Sequence, residues 1–261
     1  DGGAVAAMID RSARASVVDQ WPLIVVDDTL RALQDLAAAY LQTLPGRRVA
    51  LTGSNGKTTS KELIAACLRA AYGAPFVHAT EGNLNNHIGV PLTALRAEPE
   101  HQALVIEMGM NHLQEIALLC RIARPQVGLI TNIGTAHAGN VGGVEGVAQA
   151  KAELFEALPA DGIAVVNADD PRCVREAQAK ARCRHLAFGK APWADVRLVS
   201  ARDRVEGGQE LELSYHSETV EVVIPLDGRH NAVNAAAAVA VGVALGLPFA
   251  TCALWLAGVR G

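Results

Sequence analysis

The residues best suited to chemistry form a glycine-containing loop between a short apolar strand and a helix. The loop reads Thr-Gly-Ser-Asn-Gly-Lys-Thr-Thr over residues 52–59. Glycines let backbone amides turn towards a polyphosphate, and the N-terminus of the helix adds positive potential. In such a loop Lys57 reaches the terminal phosphates, and the hydroxyl of Thr58 is available to Mg²⁺. The predicted nucleotide-binding residues are Gly53, Ser54, Asn55, Gly56, Lys57, Thr58 and Thr59.

The spacing of this loop departs from the general phosphate-loop pattern. That pattern has four residues between its glycines, whereas only two separate Gly53 from Gly56, and Leu51 stands where the distal glycine would be. The alternative is an ordinary turn before a helix, with Lys57 in solvent. Kinases, GTPases and ligases all use phosphate loops, so the loop predicts a nucleotide but no particular reaction.

Two further candidates follow predicted strands at their carboxyl ends. Glu107 ends the apolar stretch Leu-Val-Ile-Glu, and His137 ends Thr-Asn-Ile-Gly-Thr-Ala-His at 131–137. In parallel sheets these ends line the ligand crevice. A carboxylate there can hold Mg²⁺, and a neutral imidazole can bind metal or orient a substrate. The alternatives are that Glu107 caps the next helix and that His137 is a bystander.

Side-chain amides are concentrated in two segments. Asn83, Asn85 and Asn86 share one loop and can grip a polar substrate, or they can cap the helix expected to begin near residue 88. Asn231 and Asn234 are three residues apart, so they share a helix face. Their amides can pair with the edge of an adenine base, although Asn231 could instead be a helix N-cap.

The elements that must position these residues alternate between strands and helices. Strands are predicted at 49–52, 76–78, 103–107, 127–131 and 163–167, and helices at 57–71, 88–96, 112–123, 144–158 and 171–181. This order predicts an α/β fold, a mostly parallel sheet with helices on both faces. Short strands at 195–200, 210–215 and 219–224 predict a small antiparallel segment appended to it.

Composition excludes several classes of protein. The net charge of −4 gives no basic field for nucleic acid. Five cysteines without metal-ligand spacing predict reduced thiols and a cytoplasmic location. Residues 231–259 carry no charge, but Gly-Leu-Pro at 246–248 interrupts them, so two buried helices are expected rather than a membrane span.

Seven motifs, taken in order along the chain, resemble those of the Mur ligases of peptidoglycan synthesis. They are the loop at 52–59, Asn-Asn-His-Ile-Gly-Val-Pro at 85–91, Glu-Met-Gly-Met-Asn-His at 107–112, Thr-Asn-Ile-Gly-Thr-Ala-His at 131–137, Lys-Ala-Glu-Leu-Phe at 151–155, Asn-Ala-Asp-Asp at 167–170 and Gly-Arg-His-Asn at 228–231. Together they span most of residues 49–234.

The resemblance implies a P-loop NTPase-like central domain of an ATP-dependent ligase. In this family ATP phosphorylates a substrate carboxylate, and an amine attacks the resulting acyl phosphate. The forms at 85–93 and 107–110 are most similar to family members that add D-alanyl-D-alanine to UDP-N-acetylmuramoyl-tripeptide. Residues 1–26 are then expected to end a UDP-substrate domain and 27–261 to form the central domain of a fragment, with a third domain and its ribose-contacting arginine beyond residue 261.

The resemblance also implies roles for individual residues. Two Mg²⁺ sites are expected, one held by Thr58 and Glu107 and the other by His137 and Lys151. Lys151, which alone reads as an ordinary helix lysine, would be carbamylated by CO₂ into an anionic ligand. The implied catalytic residues are Lys57, His137 and Lys151, the adenine contacts are Asn231 and Asn234, and the muramyl-peptide contacts are Asn83, Asn85 and Asn86. A monomer is expected.

Three alternatives remain open from the sequence. The first is another ligase of the superfamily, either a diamino-acid-adding Mur enzyme or a folylpolyglutamate synthase. The second is a P-loop nucleotide kinase or regulatory NTPase, which would need no amine acceptor. The third is a nucleotide-binding module that ligates nothing by itself.

Overall fold

In a computed structural model of the chain, residues 3–16 and 22–258 are described. The parts of the two predicted domains on residues 1–2, 17–21 and 259–261 lie outside the described residues. The strands are β1 (Ala7–Asp10), β2 (Leu23–Val26), β3 (Arg47–Thr52), β4 (Val77–Ala79), β5 (Ala103–Glu107), β6 (Val127–Ile130), β7 (Ile163–Asn167), β8 (Arg184–Gly189), β9 (Val196–Asp203), β10 (Gln209–Tyr215) and β11 (Glu218–Ile224).

The main sheet of the described residues has nine strands, in the order β11-β10-β9-β8-β7-β6-β3-β5-β4. Strands β3 to β8 pair in parallel, and β9 also joins β8 in parallel. Strands β9, β10 and β11 then pair antiparallel to one another. Strands β1 and β2 form a separate parallel pair. The predicted parallel sheet with an antiparallel segment is therefore confirmed.

Helices cover both faces of the sheet. They are α1 (Thr29–Thr43), α2 (Lys57–Tyr72), α3 (Gly89–Leu95), α4 (Glu115–Ala123), α5 (Val144–Glu156), α6 (Pro171–Lys180), α7 (Arg229–Ala244) and α8 (Phe249–Trp255). Helices α2, α7 and α8 contribute to one core layer, and α1, α3, α4, α5 and α6 contribute to the other. Because β3 is buried between the layers, Val49 and Leu51 pack into the first and Ala50 into the second.

Two regions show where sequence patterns fell short. Strand β8 was not predicted, because its first residues, Arg184 and His185, are exposed and only the next four are buried. The predicted helix from residue 112 begins at Glu115 instead, because Gln114 has a left-handed backbone with φ of 69°. Both differences are local, and neither changes the order of elements.

The alanine-rich segment near the end of the chain forms a buried helix. Residues 235–241 of α7 are each at most 1% exposed. Small side chains let α7 lie close to α2 and to the sheet, so the helix that begins with Lys57 is supported from behind. Gly246 takes a positive φ in the turn to α8, as the Gly-Leu-Pro pattern predicts. Among the described residues, none of the helices has the length and apolar character needed to cross a bilayer.

Candidate nucleotide and metal site

The predicted phosphate loop lies between the end of β3 and the start of α2. Gly56 immediately precedes α2 with φ of 75°, a left-handed conformation that favours glycine. A Cβ atom at this position would lie 2.8 Å from Oδ1 of Asn234 on α7. Glycine is therefore required at position 56 both by the backbone angle and by the approach of α7.

Asn132 braces the tip of this loop. The Oδ1 atom of Asn132 accepts from the amide of Asn55 at 3.0 Å, and its Nδ2 donates to the carbonyl of Asn55 at 3.0 Å. Its own carbonyl accepts from the amide of Ser54 at 3.0 Å. Because these two loop amides are engaged, an anion would be bound by other amides of the loop and by those of the first turn of α2.

Lys57 extends over the loop rather than into solvent. Its Nζ donates to the carbonyl of Gly53 at 2.9 Å. Burial lowers the pKa of Lys57, and the nearby Glu107 carboxylate partly opposes that shift. Lys57 is therefore not extended into solvent, as the alternative of an ordinary turn would require.

Glu107 is only 2% exposed, and its carboxylate is held by two other candidates. Oε2 accepts from the hydroxyl of Thr58 at 3.0 Å, and Oε1 accepts from Nδ2 of Asn85 at 2.8 Å. Glu107 does not cap α4, so that alternative is wrong. The carboxylates that accept from backbone amides at the start of α4 belong to Glu115 and Glu153.

The pair of oxygens from Thr58 and Glu107 fits Mg²⁺. Two neighbouring ligands of an octahedral Mg²⁺, each at about 2.1 Å, lie roughly 3.0 Å apart. The Thr58 and Glu107 oxygens have this separation, and both are hard donors. Within the described residues no three His, Cys, Asp or Glu side chains converge on a point. This donor set suits a Mg²⁺ ion that takes its other ligands from phosphate and water.

A cavity of about 250 Å³ lies in front of the loop, and we call it the front cavity. It is lined by Lys57, Asn85, Asn86, His87, Gly109, Met110, Asn111, Glu115, His137 and Lys151. Five predicted site residues, from four parts of the chain, thus meet at the same space: Lys57, Asn85, Asn86, His137 and Lys151. His137 is exposed on the wall, with φ of 64°.

Lys151 differs from an ordinary helix lysine. Its side chain is 2% exposed, and no hydrogen-bond or ion-pair partner for its ammonium group is found among the described residues. Burial, followed by the positive charge of Lys57, lowers the pKa of Lys151 to about 8. A substantial share of this amine is therefore neutral near physiological pH.

The three asparagines of the amide-rich loop have different contacts. Asn86 caps α3, since its Oδ1 accepts from the amides of Ile88 at 3.1 Å and Gly89 at 2.8 Å, while it also lines the front cavity. The carbonyl of Asn85 accepts from the amide of Gly109 at 2.8 Å, which ties this loop to the end of β5. Asn83 is exposed and lines neither of the cavities described at this site.

A second cavity of about 440 Å³ lies behind the loop, and we call it the rear cavity. It is lined by Asn55, Gly56, Thr131, Asn132, Asn167, Asp169, His230, Val233 and Asn234. Asn234 accordingly reaches a space beside the loop that can take a base. Asn231 does not line it, but its Oδ1 accepts from Nδ2 of Asn234 at 3.2 Å. Because α7 begins after Gly228, Asn231 is not the N-cap.

The remaining loop residues have supporting positions. The hydroxyl of Ser54 accepts from the amide of Gly134 at 2.8 Å, which joins the loop to the segment that carries His137. Gly53 packs against Thr131, where a Cβ atom would lie only 1.8 Å from the threonine Oγ1. Thr59 lies in the first turn of α2 and lines neither cavity.

The segment that carries His137 is held by two residues of a motif to which the sequence analysis assigned no role. Asn167 donates from Nδ2 to the carbonyl of Thr131 at 2.6 Å. Asp170 accepts from the amide of Ile133 at 2.7 Å while it caps α6. The Asn-Ala-Asp-Asp motif therefore acts as a brace. A polar cluster directly after an apolar strand was the signal available for this role.

The chain matches the family model of the Mur ligase middle domain over residues 51–242. It is 39% identical over 260 residues to the UDP-N-acetylmuramoyl-tripeptide--D-alanyl-D-alanine ligase of Bacillus subtilis, covering 100% of this chain and 54% of that protein. A crystal structure of MurF from Acinetobacter baumannii matches with a TM-score of 0.86 and 33% identity, over 98% of this chain and 54% of that one.

A crystal structure of the MurF ligase from Thermotoga maritima in complex with ADP is also similar. It matches with a TM-score of 0.83 and 30% identity, over 94% of this chain and 55% of that one. The chain thus spans about half the length of the curated relatives and solved structures it matches. These matches confirm the predicted fold.

Proposed function

The chain belongs to the Mur ligase family, and from that premise we propose that it is the ATP-binding middle part of a ligase that adds D-alanyl-D-alanine to UDP-N-acetylmuramoyl-tripeptide. One observation carries the proposal. The phosphate loop separates two cavities, and the ammonium group of Lys57 lies at the loop, on the side of the front cavity. A nucleotide held by this loop has its base in the rear cavity and its terminal phosphate in the front cavity.

The front cavity suits transfer of a phosphoryl group to a carboxylate. The carboxylate oxygen of the tripeptide attacks the terminal phosphorus of ATP, the bond from that phosphorus to the bridging oxygen breaks, and ADP leaves. The amine of D-alanyl-D-alanine then attacks the acyl phosphate, and inorganic phosphate leaves as the amide forms. Lys57 and the helix N-terminus offset the negative charge on the transferring group, which is the main requirement of this chemistry.

Thr58 and Glu107 would hold a Mg²⁺ ion on the nucleotide. When bound, the ion would neutralise phosphate charge and orient the terminal phosphate. Asn85 keeps the Glu107 carboxylate in place through the hydrogen bond from its amide at 2.8 Å. Asn86, which lines the same cavity, would contact the muramyl-peptide. Asn83, exposed and outside the cavity, has less support for such a role.

Lys151 would serve a second Mg²⁺ as a carbamate, together with His137. The neutral amine attacks CO₂, a carbon-nitrogen bond forms and a proton is released, which leaves an anionic oxygen donor. Three features support this proposal: burial, lack of a partner among the described residues and a pKa of about 8. A lysine with an ordinary pKa would be almost wholly protonated at neutral pH and unreactive towards CO₂.

Asn234 would contact the adenine base in the rear cavity, and Asn231 would act through Asn234. The free state of all five cysteines fits the proposed cytoplasmic location. That the protein is a monomer, and that residues 1–26 and 27–261 belong to different domains, stay predictions.

The test is phosphate release from ATP by a protein of the relatives' full length that contains this chain. Release is expected to require both UDP-N-acetylmuramoyl-tripeptide and D-alanyl-D-alanine. Release that is indifferent to both substrates would identify a kinase or a regulatory NTPase instead. A preference for a diamino acid or glutamate as the amine would point to another ligase of the superfamily, although the relative at 39% identity favours D-alanyl-D-alanine.

A further inference from the structure

Lys61 is a buried cation that the proposed chemistry does not use. Its side chain is 2% exposed and is among the largest fully buried side chains of the described residues. Removing an ammonium group from water is energetically unfavourable unless its hydrogen-bonding partners compensate. Its position also links it to the site, because it lies on α2 one turn after Lys57 and three residues after Thr58, on the same side of the helix.

The partners of Lys61 lie beneath the metal site. Its Nζ donates to the carbonyl of Thr80 at 2.7 Å and forms an ion pair with Oε1 of Glu62 at 2.8 Å. Glu62 is 54% exposed, so its carboxylate is partly hydrated. The hydrogen bond to Thr80 is the contact directed into the protein, towards the strands that end at the site.

Thr80 carries this contact on to the backbone of Glu107. It follows edge strand β4, and its amide continues the pairing with β5 by donating to the carbonyl of Val105 at 2.9 Å. The register of β4 with β5 ends at Val105, two residues before Glu107. Beyond that point, the hydroxyl of Thr80 accepts from the amide of Glu107 at 2.9 Å. A side chain thus replaces the missing strand partner.

We propose that Lys61 is a positioning residue that sets the place of the metal ligand Glu107 through Thr80. This inference rests on the proposed function, since it assigns Mg²⁺ to Thr58 and Glu107. A lysine can fill this role because its side chain is long. Its ammonium group reaches the carbonyl of Thr80, directly after edge strand β4, and fixes it by a hydrogen bond. Lys61 touches neither nucleotide nor metal in this arrangement.

The experiment measures the Mg²⁺ dependence of binding of a non-hydrolysable ATP analogue by titration calorimetry. The variants are Lys61→Met, Thr80→Val, the double variant and Thr80→Ser, which keeps the hydroxyl. Loss of a residue that supports a metal ligand weakens metal binding by about tenfold or more. We therefore expect Lys61→Met and Thr80→Val each to raise the half-saturating Mg²⁺ concentration about tenfold, and Thr80→Ser to stay within about twofold of the wild type.

The double variant shows whether Lys61→Met and Thr80→Val change Mg²⁺ binding through the same connection or through a general loss of stability. If Lys61 acts through Thr80, the double variant is shifted little beyond either single variant, because the same connection is already broken. Gln209→Met is the matched control. Gln209 is a buried polar residue at 1% exposure, it bonds Asp203 in the antiparallel segment, and its loss should leave the Mg²⁺ dependence unchanged.

Each result bears either on the positioning role of Lys61 or on the proposed function. Two results overturn the role of Lys61 and leave the proposed function intact. One is a folded Lys61→Met variant with wild-type Mg²⁺ dependence. The other is a double variant whose shift is the product of the two single shifts. If Lys61→Met does not fold, the contrast between Thr80→Val and Thr80→Ser decides, and equal Mg²⁺ dependence in both overturns the connection to Glu107. A wild-type chain that binds no analogue with Mg²⁺ overturns the proposed function, and this inference with it.

Discussion

The two cavities beside the phosphate loop differ in the chemistry of their walls. The front cavity has two lysines, Lys57 and Lys151, together with the carboxylate of Glu115. The rear cavity is lined mainly by side-chain amides, together with His230 and Val233, and none of the described residues that line it is a lysine or arginine. Its one carboxylate, on Asp169, already accepts from the backbone amides of residues 190 and 191.

This difference separates two tasks that one substrate imposes. A transferring phosphoryl group needs preorganised positive charge around it, whereas a base needs neutral hydrogen-bonding groups and a defined shape. The loop serves as the wall between the two, since Gly56 contacts Asn234 on one side and Lys57 follows it on the other. Substitutions of residues that line the front cavity should therefore affect turnover, and substitutions of residues that line the rear cavity should affect nucleotide binding.

The largest effect is expected for Lys57→Met in a full-length protein. Loss of the ammonium group leaves the developing phosphoryl charge without its nearest cation, so kcat should fall about 10³-fold. Steady-state phosphate release measures this. Lys180→Met is the matched control, because Lys180 is a surface lysine whose ammonium pairs with Glu156. Turnover of Lys57→Met within about tenfold of the wild type would contradict the division of tasks.

Lys151→Ala is expected to lose about 10²-fold in activity, because the proposed carbamate ligand cannot form. Formate or acetate should restore part of the loss by supplying a carboxylate in the vacated space. The same acids should not restore Lys57→Met, whose missing group is a cation. Unimpaired activity of Lys151→Ala would rule out the carbamate.

Burial of Lys151 at the front cavity should also lower the free energy of unfolding in a pH-dependent way. Because the folded chain lowers the pKa of Lys151 to about 8, below its unfolded value, protonated Lys151 disfavours folding. The cost is full below pH 8 and fades as pH rises through the window between 8 and the unfolded pKa near 10.4. Lys151→Met should therefore stabilise the chain at pH 7 by roughly 3 kcal/mol, with little gain near pH 10.5.

Urea unfolding at both pH values, in metal-free buffer depleted of CO₂, measures the difference. Lys180→Met again serves as control, since the hydrogen bond and ion pair with Glu156 raise the pKa of Lys180, the opposite direction to that of Lys151. An equal stability change for Lys151→Met at pH 7 and pH 10.5 would show that charge is not the cause.

The smallest effect is expected behind the loop. Asn234→Ala should raise the KM for ATP about fivefold with little change in kcat, because one neutral hydrogen-bonding group is worth about 1 kcal/mol. Asn231→Ala, which acts only through Asn234, should have a weaker effect of the same kind. A fall in kcat comparable to that of Lys57→Met would mean that the two cavities do not divide the work as proposed.

Local patterns predicted much of the fold because parallel strands buried on both faces leave continuous apolar runs. Strands β5 and β7 were predicted with their observed ends, and the turn at Gly246 was anticipated. Strand β8 was not predicted because Arg184 and His185 are exposed and only four buried residues follow them, which leaves a short apolar run. The hydrogen bonds from Asn132 to the phosphate loop were also not predicted, since an asparagine after a strand has many possible partners.

The sequence by itself determined the phosphate loop, the α/β order and the residue types available at the strand ends. These features follow from backbone rules that act over a few residues, such as the left-handed angle at Gly56 and the apolar run before it. Only the tertiary structure decided that Lys151 is buried with no partner among the described residues, that Asn234 rather than Asn231 reaches the rear cavity, and that Thr80 bonds both Lys61 and the backbone of Glu107. Burial and long-range hydrogen bonds depend on which elements pack together, and no short stretch of chain contains that information.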